Sequence, residues 1–177
     1  MTSIWLQPQG RQEEQLRALI DRTAGEHATV SFHPHLTVCG APDDPALLDA
    51  AAAYVKDCGL LPLTVAKEAV TGAIITPFRA VFIEVENSPA LREFRERLRE
   101  IVGGPALIPP HISLLYTLDR TTQKPRGDFD EETLRAIAAR CAEAIGDTQF
   151  VLGRPVVNSA GGPGGADVRS WRIVRHL

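Results

Sequence analysis

The chain has 177 residues, of which 44% are hydrophobic and 23% charged, with 19 Lys and Arg against 22 Asp and Glu for a formal charge of −3. That is enough chain to bury a substantial core without metal or disulfide staples, in the composition range of ordinary globular proteins. A protein that grips many phosphates needs a surplus of basic side chains to displace counterions, so this balance argues against a long nucleic-acid partner, and any phosphate the protein binds is expected to be small.

The segment Met1–Trp5 lacks the basic start and apolar run of a signal peptide, and no apolar stretch reaches spanning length. The expectation is a cytoplasmic protein without membrane contact. Cys39, Cys58 and Cys141 are odd in number, far apart and form no C-x-x-C pair, so they read as reduced, mostly buried thiols.

In chain order, Ser3–Pro8 reads as a strand, and Arg11–Thr23 as a helix with Leu16, Leu19 and Ile20 on one face, stopped by Gly25. Thr29–Val38 reads as a strand closed by Gly40-Ala41-Pro42, and Pro45–Asp57 as an alanine-rich helix capped by Asp43 or Asp44. Leu63–Ala73 and Ala80–Glu86 follow as strands joined by a short loop. Ser88-Pro89 opens a helix with Leu91, Phe94, Leu98 and Ile101 as its buried stripe, ended by Gly103-Gly104. Its remaining charges, Arg92, Arg95 and Arg99 among them, read as a solvated face. His111–Leu118 is the next strand and Asp130–Ile145 the last helix. Gln149–Val157 and Ser170–His176 are strands around a Gly-rich insert, Ser159–Gly165, which lacks the ending of a phosphate-binding P-loop and reads as a hairpin loop.

Two short segments carry the chemistry. Pro34-His35-Leu36-Thr37-Val38 and Pro110-His111-Ile112-Ser113-Leu114 share one pattern, proline, histidine, aliphatic, hydroxyl, aliphatic, with the histidines 76 residues apart. Background residue frequencies make a chance second copy a roughly one-in-a-thousand event. Residues two apart on a strand share a face, so His35 projects with Thr37 and His111 with Ser113, while Leu36, Val38, Ile112 and Leu114 enter the core. If the halves face each other across a cleft, two imidazoles and two hydroxyls meet on one tetrahedral group. That set suits phosphodiester hydrolysis: one histidine takes a proton from water, the other protonates the departing oxygen, and the hydroxyls hydrogen-bond the non-bridging oxygens.

The paired motifs resemble those of the two-histidine ("2H") phosphoesterase superfamily, and His111-Ile112-Ser113-Leu114-Leu115-Tyr116 is most similar to the cyclic phosphodiesterases of plants and yeast. The resemblance implies an α+β, bilobal fold over residues 1–177, duplicated about a pseudo-two-fold, with antiparallel sheets lining a central cleft and helices outside. It implies hydrolysis of 2′,3′-cyclic phosphates of nucleotides, or of ADP-ribose 1″,2″-cyclic phosphate, to a phosphomonoester, with the 2′-phosphate as product. It places His35, Thr37, His111 and Ser113 in catalysis. Either imidazole could serve as base, depending on which face of the phosphate the leaving oxygen occupies, and the expected order is His111 as base and His35 as acid. Tyr116 lies near the phosphate, Trp5 against the substrate base or phosphate, and Phe78 is a candidate for stacking on a base.

His33 shares a face with His35, but no third ligand stands at characteristic spacing, so no metal and no cofactor is expected. The expected partner is a small cyclic-phosphate nucleotide or an RNA terminus, and the expected state a monomer. Other readings of the same cleft are a 2′-5′ RNA ligase-like or RNA-end-processing enzyme, and a nucleotide- or RNA-binding module without turnover. The latter would be served better by Arg or Lys than by groups titrating near neutrality.

Overall fold

The computed structural model describes residues 2–159 and 167–177. Within them the order is β1 (Thr2–Pro8), α1 (Arg11–Glu26), β2 (Leu36–Ala41), α2 (Pro45–Asp57), β3 (Leu63–Thr76), β4 (Arg79–Val85), α3 (Pro89–Val102), β5 (His111–Leu115), α4 (Glu131–Ala144), β6 (Gln149–Ser159), a 3-10 turn (Val168–Ser170) and β7 (Arg172–His176). The class is α+β, as expected from the sequence. The Gly-rich insert after Ser159 lies outside the described residues. No helix among those described is long and apolar enough to cross a membrane.

Local chemistry sets the helix boundaries. Asp44 accepts from the Ala46 and Leu47 amides ahead of Pro45, Ser88 accepts from Leu91 ahead of Pro89, and Asp130 accepts from Thr133. Gly103, left-handed at φ 65, closes α3. Helix α1 runs past Gly25 to Glu26, with His27 as its C-cap and Ala28 following at φ 52.

The strands form one antiparallel sheet in the order β1-β2-β5-β4-β3-β6-β7, and β1 also pairs with β6, so six strands close into a ring with β7 on its outer flank. The seam between β2 and β5 is a single register pair, Leu36 with Ile112. Two bulges flank it: the β1/β2 register shifts between Ile4 and Trp5, and the β4/β5 register between Val81 and Phe82.

Leu36, Val38, Ile112 and Leu114 are each 0% exposed, which bears out the inward face assigned to both motifs. Burying each is worth about 1.5–3 kcal/mol against leaving it in water. Helix α4 packs directly on β3 at Gly72, where a Cβ would collide with the Leu134 carbonyl oxygen. Two expected strands are shorter than their sequence patterns. β2 begins at Leu36 rather than Thr29, because Pro34 has no N–H to offer a ladder and Thr29 makes only an isolated bridge to Asp119. β5 stops at Leu115, after which the Thr117 amide donates to the Pro77 carbonyl of the β3–β4 turn instead of to a strand.

Candidate active site

His35 immediately precedes β2 and His111 opens β5, so the β2–β5 seam brings the two motifs side by side. His35, Thr37, His111 and Ser113 line one cavity of about 320 Å³. The Nδ1 of His35 lies 2.7 Å from the His33 carbonyl oxygen and that of His111 2.9 Å from the Pro109 carbonyl oxygen. A carbonyl oxygen only accepts, so each Nδ1 carries the proton. Each Nε2, without a hydrogen bond among the described residues, is left as the nitrogen open to a ligand.

Both imidazoles are held below the ordinary histidine pKa. Burial pushes His35, 7% exposed, down to about 4, against the carbonyl bond that favours its charged form. The charge of His111 adds to the depression. His111 is lowered mainly by burial and further by the nearby guanidiniums of Arg79 and Arg95. Burial thus favours the neutral form of both rings, most strongly in His35.

Each ring has an aromatic neighbour one strand away. Trp5 stacks on His35 with centroids 3.7 Å apart and planes 12° from parallel, while Phe82 meets His111 edge-on at 5.7 Å. Trp5 and Phe82 are the residues opposite Thr37 and Ser113 in the ladders. Trp5 is only 4% exposed, so much of its surface is spent on His35 and the core.

The two hydroxyls differ. Ser113 donates to the Phe78 carbonyl at 3.1 Å and is hydrogen-bonded to Tyr116, whose own phenol burial drives far up in pKa. Thr37 makes no side-chain hydrogen bond among the described residues, so its hydroxyl is the readier donor to a ligand.

Tyr116 and Phe78 also line the cavity, and Phe32 stacks on Tyr116 from below at 3.7 Å. Trp171, which carries no motif in the sequence, lies at the centre of this aromatic wall. It is edge-on to Trp5 at 5.5 Å and to Tyr116 at 5.9 Å, and stacked against Phe78 at 6.0 Å. The sequence signal it left was only that a second tryptophan stands in a short C-terminal strand.

His33 points elsewhere. Arg17 donates to its Nδ1 at 2.8 Å, and it lines a neighbouring cavity with Arg17 and Ser31. No group of three or more His, Cys, Asp or Glu side chains among the described residues is placed to hold a metal ion. Cys39, Cys58 and Cys141 are unpaired thiols, and burial raises Cys39 to about 11.

Arg95 corrects the expectation of a uniformly solvated α3 face, being 2% exposed. Its guanidinium donates to the carbonyls of Thr37 and Val38 at 3.4 and 3.2 Å, and to that of Ile108 at 2.8 Å, so one side chain ties α3 to both motif segments. Its neighbours Phe94 and Leu98 in the buried stripe are the signal that marked it off from the outer charges. Arg79, read from the sequence only as part of a turn, lines the cavity beside the histidines.

No protein-family model matches the chain, and no curated protein matches it.

Proposed function

We propose that this protein is a two-histidine cyclic phosphodiesterase, opening the 2′,3′-cyclic phosphate of a nucleotide, or ADP-ribose 1″,2″-cyclic phosphate, by general acid/base catalysis. The observation that carries the reading is the convergence of His35, Thr37, His111 and Ser113 on one cavity with both Nε2 atoms open. One neutral imidazole takes a proton from water as its oxygen attacks phosphorus, and the other, protonated, delivers a proton to the departing ribose oxygen. The sum is addition of one water and cleavage of one P–O bond, with each proton transfer worth about 10²–10⁴ in rate.

Strand pairing supports the duplicated, two-lobed architecture that the resemblance to 2H phosphoesterases implies. The order β-α-β-α-β occurs twice, as β1 to β3 and β4 to β6. Exchanging β1 with β4, β2 with β5 and β3 with β6 leaves the pairings of the six-stranded ring unchanged, brings one bulge onto the other, and swaps Leu36 with Ile112 at the seam. The same exchange carries His35, Thr37 and Trp5 onto His111, Ser113 and Phe82.

The pKa order favours His35 as base, since it is the more firmly deprotonated ring, and His111 as acid, the reverse of the order expected from sequence. Ring opening to the 2′-phosphate then has His111 protonating the 3′ oxygen. A purely binding role fits less well, because two neutral imidazoles add no charge to hold an anion.

The test is incubation of EDTA-treated protein with the four 2′,3′-cyclic nucleotides and ADP-ribose 1″,2″-cyclic phosphate, products resolved by phosphorus NMR. A single phosphomonoester isomer, lost in His35→Ala and His111→Ala proteins that still melt cooperatively, is the expected result. Absence of turnover with all five, together with release of an RNA-end product from an oligonucleotide, would transfer the same acid/base pair to RNA ends.

A further inference from the structure

We infer that Arg79 is the anion anchor of the cavity, its guanidinium binding a non-bridging oxygen of the substrate's phosphate on the His111 side. Among the described residues lining the cavity it is the one Lys or Arg. Its Nε is buried beyond the reach of water and has no hydrogen-bond partner, and the guanidinium makes no ion pair among the described residues. A donor closed to water is closed to a phosphate oxygen as well, so the terminal amino groups of the guanidinium, which make no hydrogen bond among the described residues and are not buried as Nε is, are the donors left for an anion. The guanidinium carbon sits 4.3 Å above the Phe82 ring, and that ring meets His111 edge-on. The cation is thus fixed by a packed aromatic rather than left to wander in solvent.

The cavity needs such a group. A cyclic phosphodiester carries one negative charge, and Thr37 and Ser113 offer it only neutral hydroxyls. The charge also breaks the likeness of the two halves: the strand position that corresponds to Arg79 in β1 is Thr2, 3% exposed and neutral. One face of the phosphate therefore meets Arg79 and the other does not, which orients the phosphorus between the two imidazoles.

Arg79 as anion anchor rests on the phosphodiesterase reading only for the identity of the anion, and inorganic phosphate tests it without turnover. Phosphate binding is measured by calorimetry on the full chain for wild type, Arg79→Gln, Arg79→Lys and, as a control on the neighbouring α3 surface, Arg92→Gln, with thermal melting to confirm folding. The expected result is a loss of about 10- to 100-fold in phosphate affinity for Arg79→Gln, partial recovery in Arg79→Lys, and no change in Arg92→Gln. Equal affinity in wild type and a folded Arg79→Gln protein, or no phosphate binding by wild type at millimolar concentration, overturns the assignment. Phosphate binding that depends on Arg79 in a protein that hydrolyses no cyclic phosphate would leave the anchor standing and remove the proposed reaction.

Discussion

His35 and His111 hold their rings by the same device, each Nδ1 bonded to the backbone carbonyl two residues earlier, His33 in one case and Pro109 in the other. Both carbonyls belong to the short segment ahead of a strand that proline keeps out of the ladder. Nitrogen-15 NMR at pH 7.5 is expected to show both rings neutral with the proton on Nδ1. A ring protonated on Nε2 would remove the nitrogen on which the acid/base scheme depends.

The order of proton transfer is separable by leaving-group chemistry. A substrate with sulfur in place of the 3′ bridging oxygen leaves as a thiolate and needs no general acid. With His111 as acid, His111→Ala should recover turnover on the sulfur substrate by about 10²-fold or more relative to the oxygen one, while His35→Ala stays inactive on both. Rescue of His35→Ala instead would restore the order expected from sequence.

Burial of His35 couples folding to pH. Its folded pKa, about 4, lies below the unfolded value near 6.5, so the unfolded chain binds the extra proton and stability falls as pH drops from about 6.5 toward 4, being fully present above that window. The melting temperature of wild type should therefore decline over this range more than that of His35→Gln. Parallel declines would mean the ring is not buried neutral.

Trp5 covers His35 at 3.7 Å. Replacing it with alanine opens that face to water and should raise the His35 pKa toward its ordinary value, moving the acid limb of the pH–rate profile to higher pH. An unshifted limb with reduced rate would assign Trp5 to substrate contact instead.

Arg95 satisfies carbonyls from both motif segments, and Arg95→Leu would leave them buried without donors. A loss of about 2–4 kcal/mol in stability is expected by denaturant unfolding. Arg95→Lys, which cannot span three carbonyls with a planar fork, should recover stability only in part and lower kcat more than it raises KM. Full recovery in the lysine variant would reduce Arg95 to a charge.

What the sequence made legible was local. Caps at Asp44, Ser88 and Asp130 announce helices within a few residues, and the alternation around His35 and His111 assigns one face to the cavity and the other to the core. What it hid depends on closure of the ring. Trp171 and Arg79 line the cavity only because β4, β5 and the C-terminal strand converge, and nothing in their immediate neighbours records that meeting. Arg95 looks like any arginine of a charged helix until the segment ahead of His111 covers it, and the strand pattern from Thr29 fails because Pro34 interrupts hydrogen bonding while leaving the hydrophobic alternation intact.

The turn at Thr76–Arg79 separates one β-α-β-α-β unit from the next, and each unit carries one of the two motifs, His35 with Thr37 or His111 with Ser113, and one half of the Leu36–Ile112 seam. Opened at that turn, the chain becomes two fragments related as the subunits of an isologous dimer that exchange strands, since β3 pairs only with β4 and β6 of the other fragment and β6 pairs with β1 and β3. Neither holds both histidines of the proposed acid/base pair, so on that reading activity would be a property of their reassociation, and the concentration at which it returns would measure how strongly the halves grip one another.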